Sequence, residues 1–317
     1  MSLRIWACCR VRMGHMVDTS NVAIRHPAIH PDPIAYPDPK TGFSNIIAGG
    51  ESALYFYRFM GHFTSDGKPV YETPVPVLET DADLYAGTLP VPNVVDWDGD
   101  GDLDIVSGNS EGFILFFENI GSNGWPRYRP GERIKGGGHV IHVQPGYRLD
   151  IQGPGEARWG YVCPTVADWN GDGLLDIVMS DSTARHTVFI REGRAKHQVL
   201  GAGRPLYLDG LELQGTWRVK PGVREFGGRR AYVCLDGDDD FHLYWQEDAY
   251  HVTDGGKLTL DDSSVIRANF LHAGGTGRLK ICVADWDRDG EPDLIVGYED
   301  GRFLYYSREH LTTARPK

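Results

Sequence analysis

Nine residues recur three times along this chain: DWDGDGDLD at 96–104, DWNGDGLLD at 168–176 and DWDRDGEPD at 285–293. Each copy reads D-x-[DN]-x-D-G-x-x-D, with oxygen-bearing side chains at positions 1, 3, 5 and 9. These are Asp96, Asp98, Asp100 and Asp104; Asp168, Asn170, Asp172 and Asp176; and Asp285, Asp287, Asp289 and Asp293. The carbonyl of position 7 (Asp102, Leu174, Glu291) adds a further oxygen, and the glycine at position 6 lets the backbone turn. A hard cation such as Ca2+ takes six to eight oxygens at about 2.3–2.6 Å, which alternate residues of a tight loop can supply. Without a cation the same carboxylates repel one another. The expectation is three structural Ca2+ sites.

An EF-hand would place a bidentate glutamate at position 12 and a helix on each side. Position 12 is Ser107, Met179 or Val296 here, and each loop runs into a short β-branched segment, DIVSG, DIVMS or DLIVG. Those segments read as strands ending in turn formers.

The loops sit in a larger unit of strand, acidic loop, strand, turn, strand. Two more units keep the strands without the loop: NIIAGG with ALYFY (45–57), and AYVC with FHLYW (231–245). In the latter, DGDDD at 236–240 lacks the glycine and the ninth-position carboxylate and reads as a turn between strands. Five units at intervals of roughly 55 to 70 residues predict an all-β, radial array of four-stranded antiparallel blades. Trp97, Trp169 and Trp286, second in every acidic loop, read as packing residues between blades. The motif V-A-D-W-[DN]-x-D-G-x-x-D-[IL]-[IV]-V resembles the FG-GAP and VCBS class of calcium-binding β-propeller repeats. The likeness spans roughly residues 40 to 308 and implies a propeller with calcium loops between first and second strands, of five to seven blades. It does not fix an activity, because one propeller scaffold hosts many functions. The reading divides the chain into an irregular segment at 1–40, either partly disordered or ring-closing, a propeller at 41–310 and a tail at 311–317.

Forty glycines, 19 prolines and 11% aromatic residues suit an all-β chain rich in turns. The formal net charge is −12, about half of which three divalent cations would neutralise. No apolar run approaches a membrane span, and no nucleic-acid motif accompanies the acidic charge. Five cysteines show no metal-ligand spacing, and those at 163, 234 and 282 fall on predicted strands as small buried thiols. The first 16 residues lack the apolar core of a secretory signal. Calcium sites of modest affinity fill readily outside cells, so the expectation is an extracellular or cell-surface protein. Residues 185–230 hold ten Lys or Arg against four acids, which suggests either a polyanion partner or a scattered solvated surface.

With acidic loops on one face of the disc, ligands are expected on the other, among the second-to-third strand turns and the connections into the innermost strands. That nominates Arg158, Trp159 and Tyr161, the turn carrying Arg185 and His186, and the long connection with His139, His142, Tyr147 and Arg148, with Glu111, Glu51, Asp240, Glu299 and Asp300 around the same opening. His, Tyr and Arg together suit β-elimination at a uronate, with arginine neutralising the carboxylate and His or Tyr serving as base and acid. By this reading His142, His186, Tyr161, Arg185 and His139 are catalytic, and Arg158, Trp159, Tyr147, Arg148 and Glu111 bind substrate. Several propeller polysaccharide lyases are similar in kind. The alternatives are a non-catalytic glycan- or protein-binding propeller, in which the same aromatics bind sugar, and a glycoside hydrolase using Glu111, Glu51 and Glu299.

Overall fold

The computed structural model describes residues 13–26, 31–38, 42, 44–49, 54–80, 82–146, 157–193, 199–264, 266, 279–298 and 301–314. Tyr147, Arg148, Glu51, Glu299 and Asp300 lie outside them.

Five antiparallel sheets follow one another along the chain. Blade 1 is Asp32–Pro37, Ser44–Gly49, Tyr55–Tyr57 and Val75–Pro76. Blade 2 is Val91–Val95, Asp104–Gly108, Ile114–Phe117 and Glu132–Arg133. Blade 3 is Cys163–Ala167, Asp176–Ser180, His186–Phe189 and Arg204–Pro205. Blade 4 is Gly222–Phe226, Arg229–Leu235, Phe241–Gln246 and His251–Leu260. Blade 5 takes Lys280–Ala284, Asp293–Gly297 and Phe303–Tyr306 from the end of the chain and its fourth strand, Met13–His15, from the beginning. The first strands of the blades touch their neighbours in a complete circuit, so the ring is closed within this chain and has five blades.

Among the described residues the first strand is Met13–His15, a ring-closing strand inside the 1–40 segment, and Leu311–Ala314, in the expected tail, pairs with the outer edge of blade 4. The first strand of blade 1, DPIAYP, escapes a propensity reading because two of its six residues are prolines. It pairs along its whole length with the second strand nonetheless.

The apolar core consists of five clusters, one between each pair of adjacent blades. Trp97 sits between blades 2 and 3, Trp169 between 3 and 4, and Trp286 between 5 and 1, as their place in the repeat predicts. The cluster between blades 1 and 2 is filled by Tyr36, Phe117 and Tyr128 instead. The small residue closing the second strand of blades 1, 2, 3 and 5 is a packing requirement; blade 4 closes on buried Leu235. A Cβ on Gly49, Gly108 or Gly297 would meet Pro90 O at 2.3 Å, Val162 O at 2.2 Å or Pro31 O at 2.0 Å, each just before the next blade's first strand. In blade 3 the equivalent Ser180 donates its hydroxyl to Val219 O.

Polar side chains cross-link the axis. Asn93 binds Val106 O, Pro164 O and the Val166 amide at 3.2, 3.0 and 3.2 Å, joining blades 2 and 3. Buried Lys220 and Lys280 donate to Pro92 O and Arg218 O, both at 2.5 Å.

Candidate functional site

The three acidic loops each join the first strand of a blade to its second. Glycine at position 6 has φ of 98°, 81° and 93° at Gly101, Gly173 and Gly290, the left-handed region a side chain disfavours. The ninth carboxylate anchors the loop from beneath. Asp104 Oδ2 accepts from the Trp97 amide at 2.9 Å, and Asp176 and Asp293 repeat the contact with Trp169 and Trp286 at 2.9 and 3.0 Å. Their other oxygens accept from the amides of Asn119, Arg191 and Arg308. The first carboxylate folds the loop over itself, with Asp96 accepting from Gly99 and Gly101.

Asp96, Asp98 and Asp104 place ligand oxygens within 4.8 Å of one another, as do Asp285, Asp287 and Asp289. Burial pushes Asp104 and Asp293 up to about 7, with Asp98 and Asp287 raising each further through like charge. Asp285 Oδ1 is buried with no hydrogen-bond partner. An all-oxygen set with an orphaned buried oxygen fits a hard divalent cation. The middle loop carries Asn170 at position 3 and has Arg230 at 4.0 Å from Asp168.

The turn 236–240 is a different object. Lys257 Nζ stands 3.3, 3.1 and 2.7 Å from Asp236, Asp238 and Asp240, and His242 bridges Asp236 and Asp254. An ammonium takes the place a metal ion would fill, in agreement with its reading as a turn between strands.

On the opposite face, the connections entering the first strands of blades 3 and 4 bring Trp159, Tyr161, Trp217 and Arg218 together. Trp159 is exposed and its ring lies 5.7 Å from that of Tyr161, which meets Trp217 edge-on at 6.2 Å. The Arg218 guanidinium stacks 3.4 Å over Tyr161 and 3.7 Å over Trp217. Tyr161 and Arg218 both have positive φ, 44° and 61°. Arg158 beside them is exposed. Buried Asp181 accepts from Thr183 and is raised by desolvation. The sequence nominates Arg158 and Trp159 for substrate and Tyr161 as catalytic; Tyr161 is buried with Arg218 over its ring, which corrects that role, and Trp217 and Arg218, which come from the next blade, carry no motif.

The remaining candidates do not join a single centre. His186 is buried at 1% exposure, its Nδ1 hydrogen-bonded to the Tyr232 hydroxyl and its ring held down to about 4 by desolvation. It is a core histidine between blades 3 and 4, which corrects its placement as catalytic. Arg185 is exposed and pairs with Glu212 at 3.6 Å. His139 lies exposed on the hairpin of Lys135–Gly136 and His139–Val140. His142 is exposed on the ligand face, stacked on Phe113 at 4.0 Å. Glu111 accepts from the Thr88 amide at 3.1 and 3.2 Å.

The basic stretch also disperses. Arg191 reaches Trp97 O from the core, Lys220 is at the axis, Arg218 is under the aromatics, and Arg204 covers Tyr250. A second cluster that the sequence does not announce lies at the ligand-face end of the axis. Asp32 is fully buried 3.5 Å from Lys220, with its carboxyl raised to about 6 by burial against the pull of both lysines, and Lys280 sits 3.6 Å from Cys163 Sγ. Its burial seals it off as an internal cross-link.

The fold and its loops define the class: a ring-closed, five-bladed β-propeller with acidic loops in three blades. No family model and no curated protein matches the chain. Solved structures do match. They include an Agrocybe aegerita lectin that recognises non-reducing terminal N-acetylglucosamine (14% identity, 91% of this chain and 67% of that one, TM-score 0.42). A GH43_1 enzyme from Xanthomonas citri matches at 13% identity over 92% of each chain, with TM-score 0.47. A thermostable family-43 glycoside hydrolase matches at 10% identity over 93% and 97%, also with TM-score 0.47. Among the described residues no helix is long and apolar enough to cross a membrane.

Proposed function

We propose that this protein is a calcium-stapled propeller that binds an acidic glycan on the face opposite its metal loops. The cluster of Trp159, Tyr161 and Trp217 around Arg218 carries the reading. An exposed indole beside further aromatic rings offers a sugar the flat apolar surface that its C–H face packs against, and Arg158 at the same edge is the partner for a uronate carboxylate. The acidic loops hold Ca2+ and brace the blades from the other face, where they take no part in recognition. Millimolar extracellular calcium would keep them filled.

A second reading, β-elimination of the bound uronate, draws on His142 and Arg158, both exposed on this face. With His186 in the core, His139 and His142 are the histidine candidates that solvent reaches, and His142 is the one stacked on Phe113 beside the turn of blade 2.

One titration tests both. Calorimetry with uronate oligosaccharides and with neutral oligosaccharides of equal length is expected to show saturable binding of the acidic series. Trp159→Ala is expected to weaken it at least tenfold, the scale of a lost ring-stacking contact. Absence of binding, or equal binding by the variant, removes the site. Appearance of the unsaturated-uronate ultraviolet band in the same mixture, lost in His142→Ala, establishes the lyase. New reducing ends without that band establish a hydrolase.

A further inference from the structure

The tryptophan rule of the blade interfaces has a gap. Blade 4 joins its first and second strands by a tight turn at Gly227 and Gly228 in place of an acidic loop, so no loop tryptophan enters its border with blade 5, where Phe226 and the third-strand Trp245 pack instead. At that border lies a cleft of about 250 Å³. A cavity of about 150 Å³ lined by apolar side chains accepts benzene, so this one has room for a fused two-ring system.

The blade 5 wall of the cleft is the repeat equivalent of a wall that holds an indole elsewhere. Between blades 2 and 3, Trp97 is surrounded by Val166, Leu175 and Ile177, with the Arg191 guanidinium 5.2 Å over its ring. Counting from the acidic loops, the residues at the same places in blade 5 are Val283, Pro292, Leu294 and Arg308, and all four line the cleft. The alignment is fixed by hydrogen bonds as well as by spacing. The Arg191 amide donates to Asp176 and the Arg308 amide to Asp293, each the ninth carboxylate of its loop.

From blade 4, Phe226 covers part of the seat, with Arg308 4.3 Å over its ring as Arg191 lies over Trp97. Trp245 stacks beside Phe226 at 6.1 Å. Exposed Arg224 adds a second cation to the rim. The one carboxylate there, Asp293, is already engaged by the amides of Trp286, Asp287 and Arg308.

We propose that this cleft is a binding site for a planar, fused-ring aromatic carboxylate of indole size. Its ring lies against the blade 5 wall equivalent to the one that holds Trp97, beside Phe226 and Trp245, and its carboxylate lies against Arg224 and Arg308. The site is remote from the aromatic cluster on the ligand face and does not depend on it.

The probe is indole-3-acetate, with indole as the uncharged control, followed by calorimetry and by quenching of tryptophan fluorescence in the full chain. Saturable binding of indole-3-acetate is expected, with indole at least tenfold weaker. Arg224→Ala, at an exposed rim position, is expected to erase that tenfold preference, because a charge-assisted contact is lost while the ring stays seated. Val283→Phe, which fills the seat, is expected to abolish binding of both probes and to raise the melting temperature. Trp159→Ala leaves both affinities unchanged, which separates this site from the glycan site. No saturable binding at millimolar probe, equal affinity for the two probes, or undiminished binding by a folded Val283→Phe protein overturns the proposal.

Discussion

Among the described residues, two buried histidines oppose folding in acid. His26 and His186 each give Nδ1 to a tyrosine hydroxyl, of Tyr57 at 2.6 Å and of Tyr232, and leave Nε2 buried without a partner. Desolvation lowers both from 6.5 to about 4. In the folded protein they stay neutral where an unfolded chain already takes up protons. Their contribution is therefore complete above pH 6.5 and is lost as pH falls from 6.5 towards 4, by up to about 3 kcal/mol each. Buried Asp32, Asp104 and Asp293, raised to about 6 or 7, act in the opposite sense, so the test is a difference: in urea unfolding between pH 6.5 and 4, His186→Gln should lose less stability with acid than the unaltered protein, and an equal loss would show that His186 is not neutral in the fold. At this scale sequence reading did worst. His186 has the residue type and turn position of a catalytic base, and only the packing of blade 4 against blade 3 reveals that it faces inward. Trp159 and Tyr161 were legible because a Gly-rich approach to a strand exposes what it carries. Their partners Trp217 and Arg218 were not, because contact across a blade border leaves no local pattern.

The acidic loops belong to the scale of the element. The ninth carboxylate of each loop is tied to three backbone amides, and on the proposed calcium reading the cation closes the loop, so that metal binding and folding are linked. A site filled at a hundred times its dissociation constant adds about 2.7 kcal/mol. Chelation should lower the melting temperature, and calorimetric back-titration should return about three ions. Asp285→Asn should remove one ion and leave two; a melt indifferent to chelator would refute structural metal sites. The turn 236–240 supplies the contrast. Lys257 replaces the ion there, and Lys257→Ala should lower stability by about 1 kcal/mol or less, as befits a partly exposed network, a loss that added calcium should offset if the bare carboxylates collect an ion. The loops, their following strands and the packing role of their tryptophans could all be read from the sequence, because an acidic loop is written in nine consecutive residues. The prolines of DPIAYP hid a first strand, since propensity disfavours what ring geometry there permits.

For the whole molecule, closure decides stability. Met13–His15 completes blade 5 by pairing with Phe303–Tyr306, so the two ends of the chain meet in one sheet. Removing residues 1–15 should expose the edge of that strand, broaden the unfolding transition and promote association through the open edge, which sedimentation would detect. A deletion variant that stays monomeric with an unshifted melt would show that the closing strand is dispensable.

The sequence by itself determined the repeat, the all-β blades, the acidic loops and the residues that pack beside them, since each is written in a short stretch and repeated. Five blades, the strand supplied from the N-terminal end, the burial of His186 and Lys220, the pairing of Trp217 and Arg218 with Tyr161, and the cleft between blades 4 and 5 were decided by tertiary structure. All of these depend on which blade lies next to which, and in a ring the neighbours that matter most include the two that are farthest apart along the chain.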